Sequence, residues 1–346
     1  MSDALTEEGW LAGNEQKRQH KHSMAGLPLG TVTAEDEYLH APAASGHYSA
    51  TETGYYGFSI PERCLNGEIY LWFHPVLKVM SASVYIWSGL KKSSLACEYI
   101  QHHHYLPFPV NGIADYTIEA MNLRIRVIEP LKSMQIDFED KARGVRLSLL
   151  QEAIMPPGVR PGGYHFTQAM RTSGELDLYG EKLRIDGFFS RDHSWSQERR
   201  EDAMALPPLS WMVGVFDKEF AFHALAMDDP ALRPEWLDAF PKVKSGEHFF
   251  WGYIWKDGEL TPLSAVRKLT TREPDGLAPR LIEMELDDAK GRTFDLRGYV
   301  QARMPWQTWQ NMNAFFCQTR WEYAGKIGFG DTQDIQFNDF TRKFAR

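Results

Sequence analysis

What most constrains this chain is a two-residue alternation of apolar and polar side chains that returns along its length. Leu123, Ile125 and Val127 alternate with Arg124 and Arg126. Met134, Ile136 and Phe138 repeat the pattern, as do Val145, Leu147 and Leu149. In the second half it runs through Ile282, Met284 and Leu286, then through Phe294 and Leu296. Successive side chains of a strand point to opposite faces, so this period specifies strands with one buried and one polar face. Turn signals punctuate them: LNGE (65–68), KDGE (256–259), DAKGR (288–292) and YAGK (323–326). Asn-Gly and Asp-Gly tolerate the positive φ of tight hairpins. Helical patterns are scarce, with short helices expected at 229–240 and 199–205. Many strands, hairpin turns and few helices predict an antiparallel all-β protein, a sandwich or barrel.

The length of 346 residues suits two domains. Pro and Gly cluster near 152–165, and the sequence predicts an N-terminal arm (1–30), a first domain (31–173) and a second (174–346). A net charge of -8 without a long Lys/Arg run argues against nucleic acid as a partner. The three cysteines, Cys64, Cys97 and Cys317, are widely separated and odd in number, which points away from a disulfide framework. The N-terminus has no apolar core of a signal peptide, and no window reaches a membrane span. A cytoplasmic protein with no integral membrane segment is expected. The 11 Trp, 14 Tyr and 20 Phe suit β-sheet and apolar pockets.

One stretch is chemically unusual: GFFSRDHSWSQERR, residues 187–200. If extended, Asp192 and Ser194 share one face, while Arg191, His193 and Trp195 share the other. Two further groupings stand out. Trp72 and His74 share a face of one strand, and Tyr85 and Trp87 a face of its expected partner; LSWMVGVFDKEFAFHALAM (209–227) reads as a similar hairpin turning at Asp217–Lys218. The run His102-His103-His104 places His102 and His104 on one face, two ligands where a catalytic zinc uses three. No G-x-S-x-G elbow, P-loop, G-x-G-x-x-G fingerprint or H-E-x-x-H motif is present, which disfavours common hydrolases, nucleotide enzymes and zincins.

Residues 177–199 resemble the family that contains carotenoid hydratase (hydroxyneurosporene synthase) and the AttH-type proteins. The match lies in Arg191, Asp192, His193, Ser194, Trp195 and Arg199, with Ser190 and Ser196 standing where the family has glycine. Weaker matches cover 50–75, 248–263 and 320–333. The resemblance implies two tandem lipocalin-like β-barrel domains with few short helices, and an apolar ligand site near their junction. It implies a lyase, a hydratase or cyclase, working by acid–base chemistry without a cofactor on a hydrophobic isoprenoid, steroid or polyene-like small molecule.

That chemistry needs an acid able to protonate an alkene, and burial keeps a carboxyl neutral. Asp192 is the expected acid. His193 would orient it or activate water, and Trp195 would stabilise a cation. Arg191, Glu52, Tyr55, Trp72, His74, Trp87, Trp211, His223 and Trp251 are the expected substrate-binding set. A guanidinium clamped on Asp192 would lower its pKa and pass the acid role to Asp217 or Glu52. Two other readings use the same residues: a non-catalytic carrier of an apolar metabolite, and a metal-dependent enzyme around His102 and His104.

Overall fold

The computed structural model describes residues 23–42, 46–199, 206–241, 243, 246–309 and 312–345, without the side chains of 308 and 309. It is all-β, in two successive units. The first is built from β1 (Ala50–Ile60), β2 (Leu65–His74), β3 (Val79–Ser88), β4 (Tyr99–Pro107), β5 (Asp115–Ile118), β6 (Leu123–Glu129), β7 (Ser133–Asp140), β8 (Val145–Ala153), β9 (Gly158–Val159), β10 (His165–Leu178) and β11 (Glu181–Glu198). These form one 11-stranded sheet, ordered β4-β3-β2-β1-β11-β10-β8-β7-β6-β5, with β9 against β10. The second unit is a closed barrel of β12 (Leu209–Asp217), β13 (Phe220–Met227), β14 (Phe249–Lys256), β15 (Glu259–Arg272), β16 (Pro279–Asp288), β17 (Thr293–Trp309), β18 (Met312–Tyr323) and β19 (Lys326–Phe337). Closure leaves the barrel no unpaired edge.

The alternating segments are β6, β7, β8, β16 and β17, and their burial alternates as the pattern requires. The KDGE and YAGK turns place Asp257 and Gly258 (φ 53° and 83°) and Ala324 and Gly325 (φ 48° and 78°) in the left-handed region, the geometry of a tight hairpin. Two expectations are corrected. LNGE is not a turn: it lies inside β2, and the reversal is made by Pro61–Arg63 and Cys64 (φ 46°). Gly67 is there for close approach, since a Cβ would sit 2.3 Å from the Phe58 ring. Residue 173 is not a boundary either. It lies within β10, whose hairpin with β11 completes the first sheet, so the chain changes sheet between Glu198 and Leu209. The helical expectation at 229–240 is met by a 3-10 helix at Pro230–Leu232 and a one-turn α-helix at Pro234–Leu237; that at 199–205 falls almost wholly outside the described residues.

The three largest apolar clusters among the described residues hold much of the aromatic content. One fills the concave side of the first sheet, around Phe58, Ile69, Leu71, Ile136 and Leu147. A second fills the barrel, around Phe222, Ile254, Leu286 and Trp321. The third lies between the units and is aromatic: Tyr55, Tyr70, Trp72, Trp87, Trp211, Trp251, Tyr253, Trp306 and Phe316. Strand β1 is therefore buried on both faces throughout. Residues 23–42, the described part of the arm and the segment that follows it, are a strap. Met24 and Gly26 donate backbone hydrogen bonds to Phe250 and Leu263 of the barrel, and Gly30 donates to Val159 of the sheet. No helix among the described residues is long and apolar enough to cross a membrane. The three cysteines are free thiols.

Candidate functional site between the two units

Strand β11 carries the unusual stretch, and its pleat divides those residues between two surfaces. Asp192 faces the junction with the barrel. Arg191, His193 and Trp195 face the other way, under the strap.

At the junction, Asp192 Oδ2 accepts a hydrogen bond from His165 Nε2, and Thr167 Oγ1 lies 3.4 Å from the same oxygen. Arg191 does not clamp it, because its guanidinium pairs with Glu37 on the other face. Burial alone would raise the Asp192 pKa, but His165 outweighs it, with smaller help from His223 and Arg199, and the net shift is downward. Asp192 is thus a carboxylate, not the neutral acid expected. The His165 ring stands edge-on to Trp251, with centroids 5.4 Å apart. Trp251 in turn lies 4.5 Å from His223, and Trp211 lies 5.4 Å from it. His223 Nδ1 is 3.1 Å from the Met212 carbonyl. A carbonyl only accepts, so Nδ1 carries the hydrogen and Nε2 keeps its lone pair. Nε2 meets no hydrogen-bonding group among the described residues. Burial, reinforced by His165, lowers the His223 pKa to about 3, so the ring is a neutral base.

Across β1 the same face holds an acid. Tyr55 is the cross-strand partner of Asp192. Its hydroxyl donates to Asp331 Oδ2 of the barrel at 2.5 Å. Glu68 of β2 interacts electrostatically with Asp331 and Tyr55, although neither of its carboxyl oxygens has a hydrogen-bond partner among the described residues, and Glu68 and Asp331 are fully buried. Burial and the Asp331 charge push the Glu68 carboxyl well up, and burial brings Asp331 to about 7. Two buried carboxyls whose charges repel cannot both ionise cheaply, so the pair holds a proton at neutral pH. The Tyr55 ring lies 5.9 Å from Trp211, which links this acid to His223. Tyr253 closes the junction: its hydroxyl donates to the Thr167 carbonyl at 3.1 Å, and its ring lies where Gly158 has no Cβ.

The aromatic wall continues outward. Trp72 stacks on Trp306 at 4.9 Å, Trp306 Nε1 donates to Tyr85 Oη at 2.6 Å, and Tyr85 Oη is 2.6 Å from His102 Nδ1. Trp87 is fully buried in the same core. His74 shares the face of Trp72; burial, with His104 and Arg199, lowers its pKa. His104 Nδ1 is 3.2 Å from Ser81 Oγ. His102 and His104 are therefore hydroxyl-bonded members of this wall, and among the described residues no carboxylate or cysteine joins them as a third ligand.

The opposite face corrects four assignments. Arg191 makes a two-pronged ion pair with Glu37 of the strap, at 2.5 and 2.9 Å, and its Nε donates to Gln168. His193 Nε2 is 2.9 Å from Glu52 Oε1, so it neither orients Asp192 nor reaches the junction. Glu52 also bonds His40. Trp195 stacks on His40 with centroids 4.2 Å apart and rings 1° from parallel, so it lines no cation site at the junction. Asp217 is a turn residue, accepting from the Glu219 and Phe220 amides and from Lys326. A cleft of about 840 Å³ opens on the barrel wall around Arg267, Glu283, Asp295, Arg297 and Arg320, and none of the expected site residues lines it.

Of the expected residues, the fold brings Asp192, Tyr55, Trp72, His74, Trp87, Trp211, His223 and Trp251 to the junction side. It adds His165, Thr167, Tyr253, Glu68 and Asp331. Glu68 was hidden in an apparent turn, and His165 in an apparent domain break; only the long-range pairing of β10 with β11 and of β2 with β1 brings them in.

Residues 33–338 match the family described as a domain of unknown function, DUF7064. The chain belongs to the DUF7064 family. Solved structures similar to this DUF7064 protein include CghA with Sch210972 (TM-score 0.55, 12% identity, covering 92% of this chain and 97% of that one). Kievitone hydratase from Nectria haematococca is similar at TM-score 0.52 and 13% identity, covering 92% and 97%. A putative AttH from Nitrosomonas europaea gives TM-score 0.52 and 16% identity, covering 89% and 98%. At these identities the likeness is one of fold, and the AttH-type architecture is the part of the resemblance it bears out. No curated protein sequence is significantly similar to the chain.

Proposed function

We propose that this DUF7064 protein is a lyase or cyclase that acts at the junction of its two units, by side-chain acid–base chemistry, on a hydrophobic isoprenoid, steroid or polyene-like molecule. The observation that carries the reading is the meeting on one buried aromatic face of a proton-holding carboxyl pair, Glu68 and Asp331, with the unprotonated Nε2 of His223 and the Asp192–His165 dyad. Tyr55 and Trp211 lie between the acid and the base. Protonation of a double bond takes one proton from the carboxyl pair and leaves a cation on the substrate. The faces of Trp211, Trp251 and Tyr55 stabilise that cation. His223 Nε2 then accepts a proton from an attacking water, giving an alcohol, or from a carbon next to the cation, giving a cyclised or isomerised alkene. The dyad fixes His165 against Trp251 and supplies the fixed negative charge of Asp192 nearby. That one structural relative is named a hydratase supports this class of reaction.

The test is incubation of the purified chain with a panel of prenylated, terpenoid and polyene compounds, read by mass spectrometry. Expected is a gain or loss of one water, or an isomer of unchanged mass, that depends on the protein. Asp331→Asn and Asp192→Asn are each expected to lower that turnover at least 100-fold. A ligand bound and recovered unaltered throughout would make the protein a carrier. Turnover unaffected by either substitution would remove the junction as the site.

A further inference from the structure

We propose that His40, Glu52 and His193 form a binding site for one divalent metal ion of the zinc class, which pins the strap onto the concave face of the first sheet. The site lies on the opposite face of β11 from the junction and stands independently of the chemistry proposed there.

Two imidazole nitrogens and one carboxylate oxygen are the ligands of many catalytic zinc sites, with a fourth position left for water. His40 Nδ1 and His193 Nε2 each lie 2.9 Å from the same oxygen, Glu52 Oε1, and the three ligand atoms fall within 4.8 Å of one another. A tetrahedral ion with bonds of about 2.0–2.2 Å spaces its ligand atoms about 3.3 Å apart. Each ring nitrogen therefore needs to part from the carboxylate oxygen by less than an ångström, and the two nitrogens, within 4.8 Å of one another, to settle at the same spacing. Soft thiolates are absent from the trio, and an all-oxygen cage for calcium or magnesium is absent too, which favours an imidazole-seeking ion.

The donors are also supported from behind. A metal-bound histidine usually gives its other ring N–H to a carboxylate or carbonyl, which fixes tautomer and orientation. His40 does this: with Nδ1 towards the site, its Nε2 is 3.2 Å from Asp36 Oδ1. Asp36 is itself anchored, its Oδ2 accepting from the Thr33 amide at 2.6 Å and the Thr33 hydroxyl at 3.0 Å. Both imidazoles are held flat by aromatic neighbours, His40 by Trp195 at 4.2 Å and His193 by Phe166 at 5.7 Å. The Glu52 carboxylate accepts the His40 backbone N–H, at 3.1 Å to Oε2. Glu52 and His193 are each 3% exposed, whereas His40, on the strap, is 21% exposed, so an ion enters from its side.

The experiment is a calorimetric titration of tag-free, chelator-treated full-length protein with zinc chloride, paralleled by visible spectra with cobalt chloride. Expected are one equivalent of zinc and an intense cobalt d–d band of low coordination number. Glu52→Gln and His193→Ala should weaken zinc at least tenfold and abolish the band, and Asp36→Asn should weaken it roughly tenfold or more. His40→Ala alters only a partly exposed strap residue, and its thermal unfolding certifies the fold; it too should lose the band. His102→Ala/His104→Ala and His20→Ala/His22→Ala should bind as the parent does. Zinc should raise the melting temperature of the parent and not of Glu52→Gln. Absence of stoichiometric binding, or binding that survives His40→Ala and Glu52→Gln, or that is lost with the other histidine pairs, would overturn the proposal and leave the trio a hydrogen-bond network.

Discussion

Asp192 and His193 are consecutive on β11 and serve opposite surfaces: Asp192 bonds His165 at the junction, and His193 bonds Glu52 beneath the strap. Their substitutions should therefore separate. Asp192→Asn keeps the shape of the side chain and removes its charge, so turnover should fall at least 100-fold, with a stability loss of about 1–2 kcal/mol from the lost charge beside His165. His193→Ala should act on stability, by about 1–3 kcal/mol, because the buried Glu52 loses a partner. Urea unfolding of both variants beside a turnover assay checks this. A large stability loss in Asp192→Asn with unchanged turnover would reverse the roles.

Arg191 and Glu37 should behave as one unit. Both are almost fully buried, and Glu37 Oε2 also accepts the Leu131 amide. Removing one partner strands a buried charge, which costs about 3–5 kcal/mol, whereas replacing both with apolar residues costs much less. Arg191→Met and Glu37→Met should each destabilise the protein more than the double variant does. A double-mutant cycle by chemical denaturation measures the difference, and additive effects would show that the pair is not coupled.

The carboxyl pair predicts a pH dependence whose sign follows from its direction. Asp331 has an ordinary pKa of 3.8 and is raised to about 7 in the folded protein. Below about pH 4 both folded and unfolded states carry the proton. Between about 4 and 7 only the folded state keeps it, so stability from this group falls as pH rises, and above 7 the loss is complete. Asp331→Asn still accepts from Tyr55 but cannot ionise. It should unfold at the same denaturant concentration as the parent near pH 4 and be the more stable protein at pH 8, by on the order of 4 kcal/mol. Parallel unfolding curves across that range would contradict the assignment of a proton to the pair.

The sequence made the strands legible wherever one face of a sheet is wet. β6, β7, β8 and β16 alternate because one side is core and the other water. It was least legible where both faces are buried. In β1 and β2 nearly every position is buried, so period two carries no information, and the Gly67 that lets Phe58 pack reads as a turn. The alternation within 191–195 did separate Asp192 from Arg191, His193 and Trp195. What it could not supply was which surface each set meets. His165 lies 27 residues before Asp192, and Glu52 lies 141 before His193. Such partners are fixed by the strand order around β1, β11 and β10, and no local pattern encodes that order.

Ser196 gives the last prediction, and it concerns how β11 presents its residues. Thr53 pairs with Ser194 and Thr51 with Gln197, so Glu52 alone faces both Trp195 and Ser196. This is a β-bulge, and Ser196 takes its left-handed position at φ 53°. A side chain there is strained, and glycine is the residue that relieves it. Ser196 is exposed, so the substitution empties no core. Ser196→Gly should stabilise the protein by about 0.5–1 kcal/mol, the relief of strain exceeding the added freedom of the unfolded chain. Ser196→Val should destabilise it by a similar or larger amount, because a β-branched side chain tolerates that backbone least. The bulge also sets the stagger that lets Trp195 lie flat on His40 while His193 reaches Glu52. Straightening it should therefore disturb the strap before the junction. Urea denaturation of the two variants, with limited proteolysis of the strap, distinguishes that order from a uniform loss of stability.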